Sequence, residues 1–232
     1  MGHCSISIII PVLNEGERLG RLLGHLRANS SPKNIREILV VDGGSTDGSV
    51  AVAREHGAHV LLSAKGRAIQ MNLGAKNAKG TVLYFLHADT YPPANFDHHI
   101  HQAVTKGYLT GCFRLRFDSN DRLLRFFAWF TRINRKICRG GDQSLFISME
   151  LYRLTNGFNE NYIIYEDNEF IGRLYDTTNF IVLPQYVVTS ARRYSKKGSL
   201  LLQYHFGMVH LKNRLGAGPD DLYQYYRKYI GI

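Results

Sequence analysis

The 232-residue sequence contains no run of about 18 uninterrupted apolar residues, the length that a membrane-spanning helix requires. The apolar stretch in residues 1–10 (MGHCSISIII) is too short for a signal-peptide core, so the expectation is a soluble or peripheral chain. Cysteine is scarce. Cys4, Cys112 and Cys138 are odd in number, widely spaced and form no CxxC pair. They argue against a disulfide framework and against a thiolate zinc site, and a reducing cytoplasm is expected. Carboxylates are in deficit: 19 Asp and Glu stand against 29 Lys and Arg, for a formal net charge of +10. That balance favours anionic partners such as phosphates, anionic lipid headgroups or nucleic acid. Nucleic acid is disfavoured in turn, because zinc-finger spacing, an RRM signature and a KH loop are all absent. Internal repeats, low-complexity tracts and interdomain linkers are missing too, so residues 1–232 read as one domain.

What the sequence does hold is a 44% hydrophobic content, enough for a real core. Strand-like and helix-like segments alternate, which predicts an α/β fold with a mainly parallel central sheet flanked by helices. Residues 5–10 form a β-branched run, and residues 15–29 place Leu19, Leu22, Leu23 and Leu26 at helical spacing. Residues 37–41 read as a second strand, with Asp47 as N-cap of a helix running to His56. Strands at 59–62 and 81–86 flank a helix at 67–78, which completes a nucleotide-binding half of about 90 residues. The remainder, residues 91–232, is less regular and is expected to face the second substrate. Strands are predicted at 111–117, 145–147 and 181–183, and helices at 121–137, 199–213 and 220–230.

Ligands of open α/β sheets sit beyond the carboxyl ends of the strands, and polar residues gather there in this chain. Pro11, Asn14 and Glu15 follow the first strand, whose ladder the proline is expected to end. Asp42 opens the turn Asp42-Gly43-Gly44-Ser45-Thr46-Asp47-Gly48, where glycines let a backbone approach a ligand closely. His87 and Asp89 lie two residues apart after an apolar strand and so project to one side. A divalent ion bridging phosphates takes only one or two protein oxygens, a role that suits Asp89. Glu166, Asp167 and Glu169 open a further helix, where they either complement its dipole or supply a general base.

The order of these stretches resembles that in family 2 glycosyltransferases of the GT-A fold. The segment Lys65-Gly66-Arg67-Ala68-Ile69-Gln70-Met71-Asn72 is similar to that family's donor-site segment, and the likeness extends over roughly residues 5–195. The resemblance implies an inverting transfer of sugar from a nucleoside diphosphate sugar to a hydroxyl acceptor, with a divalent cation, Mn²⁺ or Mg²⁺, as cofactor. It implies Pro11, Asn14, Glu15, Asp42, Lys65, Arg67, Gln70, His87, Asp89, Arg192 and Arg193 at the donor, with Asp89 as the metal ligand. It also implies Asp167 as base with Glu166 beside it, and Gly141, Asp142 and Gln143 in a loop facing the acceptor and the leaving diphosphate. A UDP-sugar is the first choice of donor on the resemblance alone; the acceptor is unnamed. Two departures stand out. Gly43 occupies the position of a second aspartate, and His87 begins what is usually Asp-x-Asp, where a neutral imidazole suits Mn²⁺ better than Mg²⁺ or else touches ribose or phosphate.

A nucleotidyltransferase would share the sheet-tip nucleotide site but normally carries a glycine-rich basic signature near its first strand, which residues 11–15 lack. A non-catalytic binder of nucleotide sugars or of membrane surfaces is the other alternative. Asp97, His98 and His101 fit one helical face and read as solvated surface rather than a metal site. Leu123, Leu124, Phe126, Phe127, Trp129 and Phe130 are flanked by Arg122, Arg125, Arg132, Arg135, Lys136 and Arg139. Such a basic amphipathic segment either lies peripherally on the inner face of an anionic membrane or packs into the core with a basic rim.

Overall fold

The computed structural model describes residues 4–231, so the first three residues of the 1–10 stretch lie outside it. Its centre is an eight-stranded sheet in the order β3-β2-β1-β4-β7-β6-β8-β5. The first four strands are β1 (Ile6–Val12), β2 (Ile35–Asp42), β3 (His59–Leu62) and β4 (Val82–Phe85), and they pair in parallel. The other half is mixed. There β7 (Leu145–Ser148) pairs antiparallel with both β4 and β6 (Thr110–Phe117). Beyond them β8 (Phe180–Thr189) runs parallel to β6 and ends against the two-residue strand β5 (Thr90–Tyr91).

Helices cover both faces, and β1 therefore reads as an almost continuous apolar run. Ile6, Ile8 and Ile10 face one core and Ile9 the other. Ser7 is buried in that run because its hydroxyl donates to Glu37 Oε1 at 2.7 Å and accepts from the Gly80 N–H at 2.9 Å. On the first face lies α1 (Gly16–Ala28), whose Leu19, Leu22, Leu23 and Leu26 are all fully buried. Each such leucine contributes about 1.5–3 kcal/mol of transfer free energy. On the other face lie α3 (Arg67–Asn77) and α7 (Glu166–Thr177), the latter through Phe170, Ile171 and Leu174. Around them are α2 (Ser49–Glu55), α4 (Phe96–Thr105), α5 (Arg122–Trp129) and α6 (Met149–Leu154). The chain closes with α8 (Arg192–Lys197), α9 (Ser199–Arg214) and α10 (Pro219–Tyr229), the last two packing through Leu202, Val209 and Leu222.

Several expectations need correction. Pro11 does not end the first strand; it pairs in register with Val41, and the ladder runs on to Val12 opposite Asp42. The Ile9 carbonyl accepts from the Leu86 N–H at 3.0 Å, so by alternation the Pro11 backbone also faces β4, whose pairing with β1 stops at Phe85, and the missing proline N–H is not needed. The helix expected over 121–137 stops at Trp129 and gives way to 3-10 turns. Arg139 draws the carbonyls of Thr131 and Ile133 out of any helical ladder, and the Thr131 hydroxyl accepts the Leu115 N–H. Arg139 is therefore buried and no part of a basic rim. The strand expected at 181–183 continues to Thr189, because Pro184 and Gln185 form a bulge between the pairs Phe113–Leu183 and Arg114–Tyr186. Asp97 is fully buried, not solvated. Its Oδ2 accepts from the Ser31 N–H at 3.0 Å and the Asn34 amide at 2.7 Å, pinning the loop between α1 and β2.

Candidate active site

At the carboxyl ends of β1 and β4 a cleft of about 580 Å³ opens, walled by the start of α3, the turn before β7 and the start of α8. Pro11, Glu15, Lys65, Arg67, Gln70, His87, Asp89, Asp142, Arg192 and Arg193 all line it. Chain segments far apart in sequence thus meet at the carboxyl ends of the central strands, where ligands of such sheets sit.

Asp47 links the tips of the first two strands. Its Oδ2 accepts from the Gly16 N–H at 3.1 Å and its Oδ1 from the Ser49 N–H at 2.9 Å, so one carboxylate serves the N-termini of α1 and α2. The N-cap position expected of Asp47 itself falls one residue later, to Gly48. Asn14 is likewise occupied with the turn. Held at φ 56°, it accepts the Thr46 N–H at 2.8 Å and donates its own N–H to Ser45 Oγ, and it stays off the cleft wall where a donor contact was expected. Asp42 is buried, and its Oδ2 takes the N–H groups of Gly44 and Ser45, both at 3.0 Å, while Oδ1 has no partner. A buried carboxylate oxygen left bare is costly, and Asp42, expected at the donor, is not itself on the cleft wall.

Gln70 explains the first departure from the family pattern. Its amide nitrogen donates to the carbonyls of Val12 at 2.9 Å and Val41 at 2.7 Å, tying two strand tips together. A Cβ on Gly43 would meet that carboxamide at 3.0 Å, so glutamine here and glycine there fill one space. The donor amide expected to hold substrate is thus already used.

Arg192 lies between two carboxylates. It forms a two-pronged pair with Glu15, one arm at 2.9 Å, and approaches Asp89 Oδ2 at 3.4 Å. Arg18 adds a third charge, 3.0 Å from Glu15. Withdrawal from water opposes the Glu15 charge, but Arg192 and Arg18 prevail and lower its pKa. Asp89 is raised, first by burial and then by the Asp142 charge. An added cation beside Asp89 would relieve that repulsion. Among the described residues no group of three His, Cys, Asp or Glu could hold an ion unaided. The residues therefore fit an ion held by Asp89 together with donor phosphates, rather than a protein-only metal centre.

His87 accounts for the second departure. Its Nδ1 lies 3.4 Å from Asp142 and its Nε2 3.5 Å from Asp167. Burial works against its charge, but the hydrogen bonds to Asp142 and Asp167 raise its pKa to about 10. A ring set between two carboxylates favours its protonated form, in which neither nitrogen offers a lone pair to a metal, and the alternative of a ribose or phosphate contact is the one this setting suits better. For Asp142 partial desolvation pushes up, yet the His87 bond and the charges of His87, Arg193 and Arg67 hold the carboxyl at about 2.

The three carboxylates at the start of α7 separate by environment. Glu169 is held by Arg173 at 2.6 Å, in a structural pair that also ties α7 to the carbonyls of Thr155 and Gly157. Glu166, 1% exposed, faces Arg67 at 3.3 Å. Burial first and the adjacent Asp167 charge second raise its pKa to about 7, Arg67 notwithstanding. Asp167 stands behind His87 and against Gly141, where an added Cβ would fall 1.9 Å from its Oδ2. It is not itself on the cleft wall. Nor do Gly141 and Gln143 face the cleft: Gln143 is buried, accepting the Gly140 N–H at 3.1 Å and donating to the Phe113 carbonyl at 3.3 Å. Only Asp142 of that loop reaches the wall.

Sequence reasoning missed the apolar part of the lining, made by Tyr162, Ile163, Tyr194, Phe206 and Tyr223. These come from the segment before α7 and from α8, α9 and α10, and no periodicity marks them as neighbours. Aromatic side chains together with a few charged ones are the usual lining of a pocket that orients a polar ligand.

Sheet order, helix placement and a charged cleft at the strand tips define the chain as having a GT-A-like fold. The glycosyl transferase family 2 model matches residues 7–153, well over half of the chain, and the protein belongs to that family. It is 34% identical over 94 residues to glycosyltransferase AglE of Haloferax volcanii, a match covering 38% of this chain and 31% of that one. It is 41% identical over 59 residues to a 4,4'-diaponeurosporenoate glycosyltransferase of Staphylococcus aureus, covering 25% and 15% respectively. The chain therefore spans under a third of the length of these curated relatives. Among solved structures, the mannosyltransferase PcManGT of Pyrobaculum calidifontis, in complex with GDP-Man and Mn²⁺, superposes with a TM-score of 0.70 at 17% identity, covering 97% of this chain and 70% of that one. Glucosyl-3-phosphoglycerate synthase of Mycobacterium tuberculosis, with Mn²⁺ and UDP, gives 0.64 at 15% identity, covering 93% and 81%.

Proposed function

We propose that the protein is an inverting, divalent-metal-dependent glycosyltransferase that moves a sugar from a nucleoside diphosphate sugar, UDP-linked by first choice, to a hydroxyl acceptor. The observation that carries this reading is the cleft itself. It brings Asp89, Arg192, Arg193 and Lys65 to the tips of β1 and β4, with Asp142 and His87 beside them and Asp167 directly behind. The solved structures that share the fold include proteins holding GDP-Man with Mn²⁺ and UDP with Mn²⁺.

In this reading a Mn²⁺ or Mg²⁺ ion on Asp89 and the donor diphosphate would supply Lewis-acid charge at the leaving group. Arg192, Arg193 and Lys65 add fixed positive charge on the same side. The acceptor oxygen attacks the anomeric carbon opposite the diphosphate. The new C–O bond forms as the old one breaks, and the acceptor proton passes to a carboxylate. Asp167 is assigned that task and Glu166 the support of it: with its pKa near 7, Glu166 need not add a second full negative charge beside the base. Asp142 is the second candidate, favoured because it alone of the two lies on the cleft wall. The residues before about 90 supply most donor contacts, and the later half contributes Asp142, Arg192 and Arg193. A cytoplasmic setting belongs to this reading, with peripheral membrane contact as developed below; no described helix is long and apolar enough to cross a membrane.

The test is a thermal-shift screen of UDP- and GDP-sugars with Mn²⁺, Mg²⁺ or EDTA. A true donor at 100 times its dissociation constant stabilises by about 2.7 kcal/mol, and EDTA should abolish most of that shift. Asp89→Asn should lose the metal-dependent part with an unchanged unliganded midpoint. No shift by any nucleotide sugar, or an EDTA-insensitive shift retained in Asp89→Asn, rejects the donor assignment.

A further inference from the structure

We infer that the face built from α5, the turns that follow it and the first turn of α9 docks on an anionic phospholipid bilayer. α5 gives only Leu124 and Ala128 to the core, leaving Phe126 at 56% and Trp129 at 51% exposure. Further along the same segment Ile137 is 71% exposed. The Asp121 carboxylate, which caps α5 by accepting the Leu123 N–H at 2.8 Å, also accepts from the Ser199 hydroxyl, and this joins α9 to the patch. Leu200 there is 72% exposed.

The charges on this face are mainly positive, the carboxylates being Asp121, which caps α5, and Asp176, which pairs with Lys136 at 3.3 Å. Arg122, Arg125, Arg132 and Arg135 are exposed, and among the described residues none of them lies within ion-pair distance of a carboxylate. No Asp or Glu occurs in residues 122–141 or in residues 177–219. Cations without a carboxylate partner among the described residues, interleaved with exposed aromatic and aliphatic side chains, match a surface that is anionic in its outer layer and apolar just beneath. A nucleic acid would satisfy the arginines but leave Ile137 and Leu200 against water or phosphate. The inference is independent of which sugar donor the cleft accepts.

The test uses the full chain and vesicles of phosphatidylglycerol or of phosphatidylcholine in a co-sedimentation assay at low and high salt. The protein should pellet with phosphatidylglycerol, fail to pellet with phosphatidylcholine, and be largely released by salt. Arg122→Gln combined with Arg125→Gln should weaken partitioning roughly 30-fold, from about 1 kcal/mol per cation at tenfold per 1.4 kcal/mol. Trp129→Ala should weaken it roughly tenfold, the lower limit for a buried aromatic side chain. Both variants should keep the wild-type unfolding midpoint; if the arginine pair does not, Arg135→Gln carries the same test from an irregular segment. Equal binding to both lipids, variants that bind like wild type, or a dimer in sedimentation velocity that the same substitutions dissociate would each overturn the proposal.

Discussion

Replacing Gly141 by alanine would put a methyl carbon where the Asp167 carboxylate now sits, 1.9 Å from Oδ2 and 2.5 Å from Cγ. Ordinary contact begins at 3.4 Å, so the oxygen must retreat by about 1.5 Å. The glycine φ is outside the left-handed region, so alanine adds no backbone strain and the side chain alone is the perturbation. Overpacking of this kind costs about 1–3 kcal/mol of stability, a visible but survivable loss. A displacement of about 1 Å at a reacting group is worth roughly 10²-fold in rate, so turnover should fall by about that factor or more if Asp167 is the base. Nucleotide affinity should barely change, because Gly141 and Asp167 are both off the cleft wall. Gly140→Ala is the control, since a Cβ there meets nothing within 4 Å. The assay is release of nucleoside diphosphate from the donor under single-turnover conditions, with nucleotide binding measured by calorimetry. If Gly141→Ala turns over like Gly140→Ala while remaining folded, Asp167 is not the proton acceptor and the catalytic assignment fails.

Asp167→Asn should cut turnover by about 10²- to 10⁴-fold with donor affinity nearly intact, whereas Asp142→Asn should do so only if the wall-facing carboxylate is the base; stopped-flow comparison of the two decides. Glu166→Gln should stabilise the fold at high pH. The wild-type carboxyl, raised from 4.5 to about 7, costs nothing below pH 4.5, and its penalty grows as pH rises and is complete above about pH 7, at up to about 3 kcal/mol. Urea unfolding at pH 4.5 and pH 8 should therefore show no gain at the lower pH and a clear one at the higher; the reverse order would show that the Arg67 pair dominates. Gly43→Asp, which restores the family's usual residue, should destabilise the chain unless Gln70 is shortened at the same time, because the two side chains claim one space; thermal midpoints of single and double variants test this.

Apolar patterning made much of the donor half of the fold legible in the sequence. Four leucines at helical spacing place α1 against the sheet, and the polar residues after β1, β2 and β4 mark the strand tips. Legibility fades where a long-range contact overrides local preference. Thr131 and Arg139 satisfy their hydrogen bonds with partners that no local pattern reveals, and so end a segment whose periodicity favours a continued helix. Pro184 lies just beyond the strand expected at 181–183, yet a bulge accommodates it and β8 continues. The same limit applies at the cleft. Position along the chain indicates which residues stand at a strand tip, but not that Gln70, Gln143 and Asn14 turn their amides to backbone groups instead of substrate. The aromatic lining is harder still, since Tyr162, Tyr194, Phe206 and Tyr223 become neighbours only through the packing of the last three helices.

The pairing of Arg192 with Glu15 gives the cleft a resident anion. On the proposed function, a phosphate reaching this guanidinium would replace a carboxylate as well as water, and the strength of that contact would be the difference between two anions rather than the whole attraction of one. The exchange would run in both directions. Once a diphosphate left, Glu15 would be at hand to take back the charge, so that its departure would not strand a bare cation at a half-buried wall. Grip on the proposed donor would thereby be moderated, and the site would be ready for the next molecule without reorganising its charges.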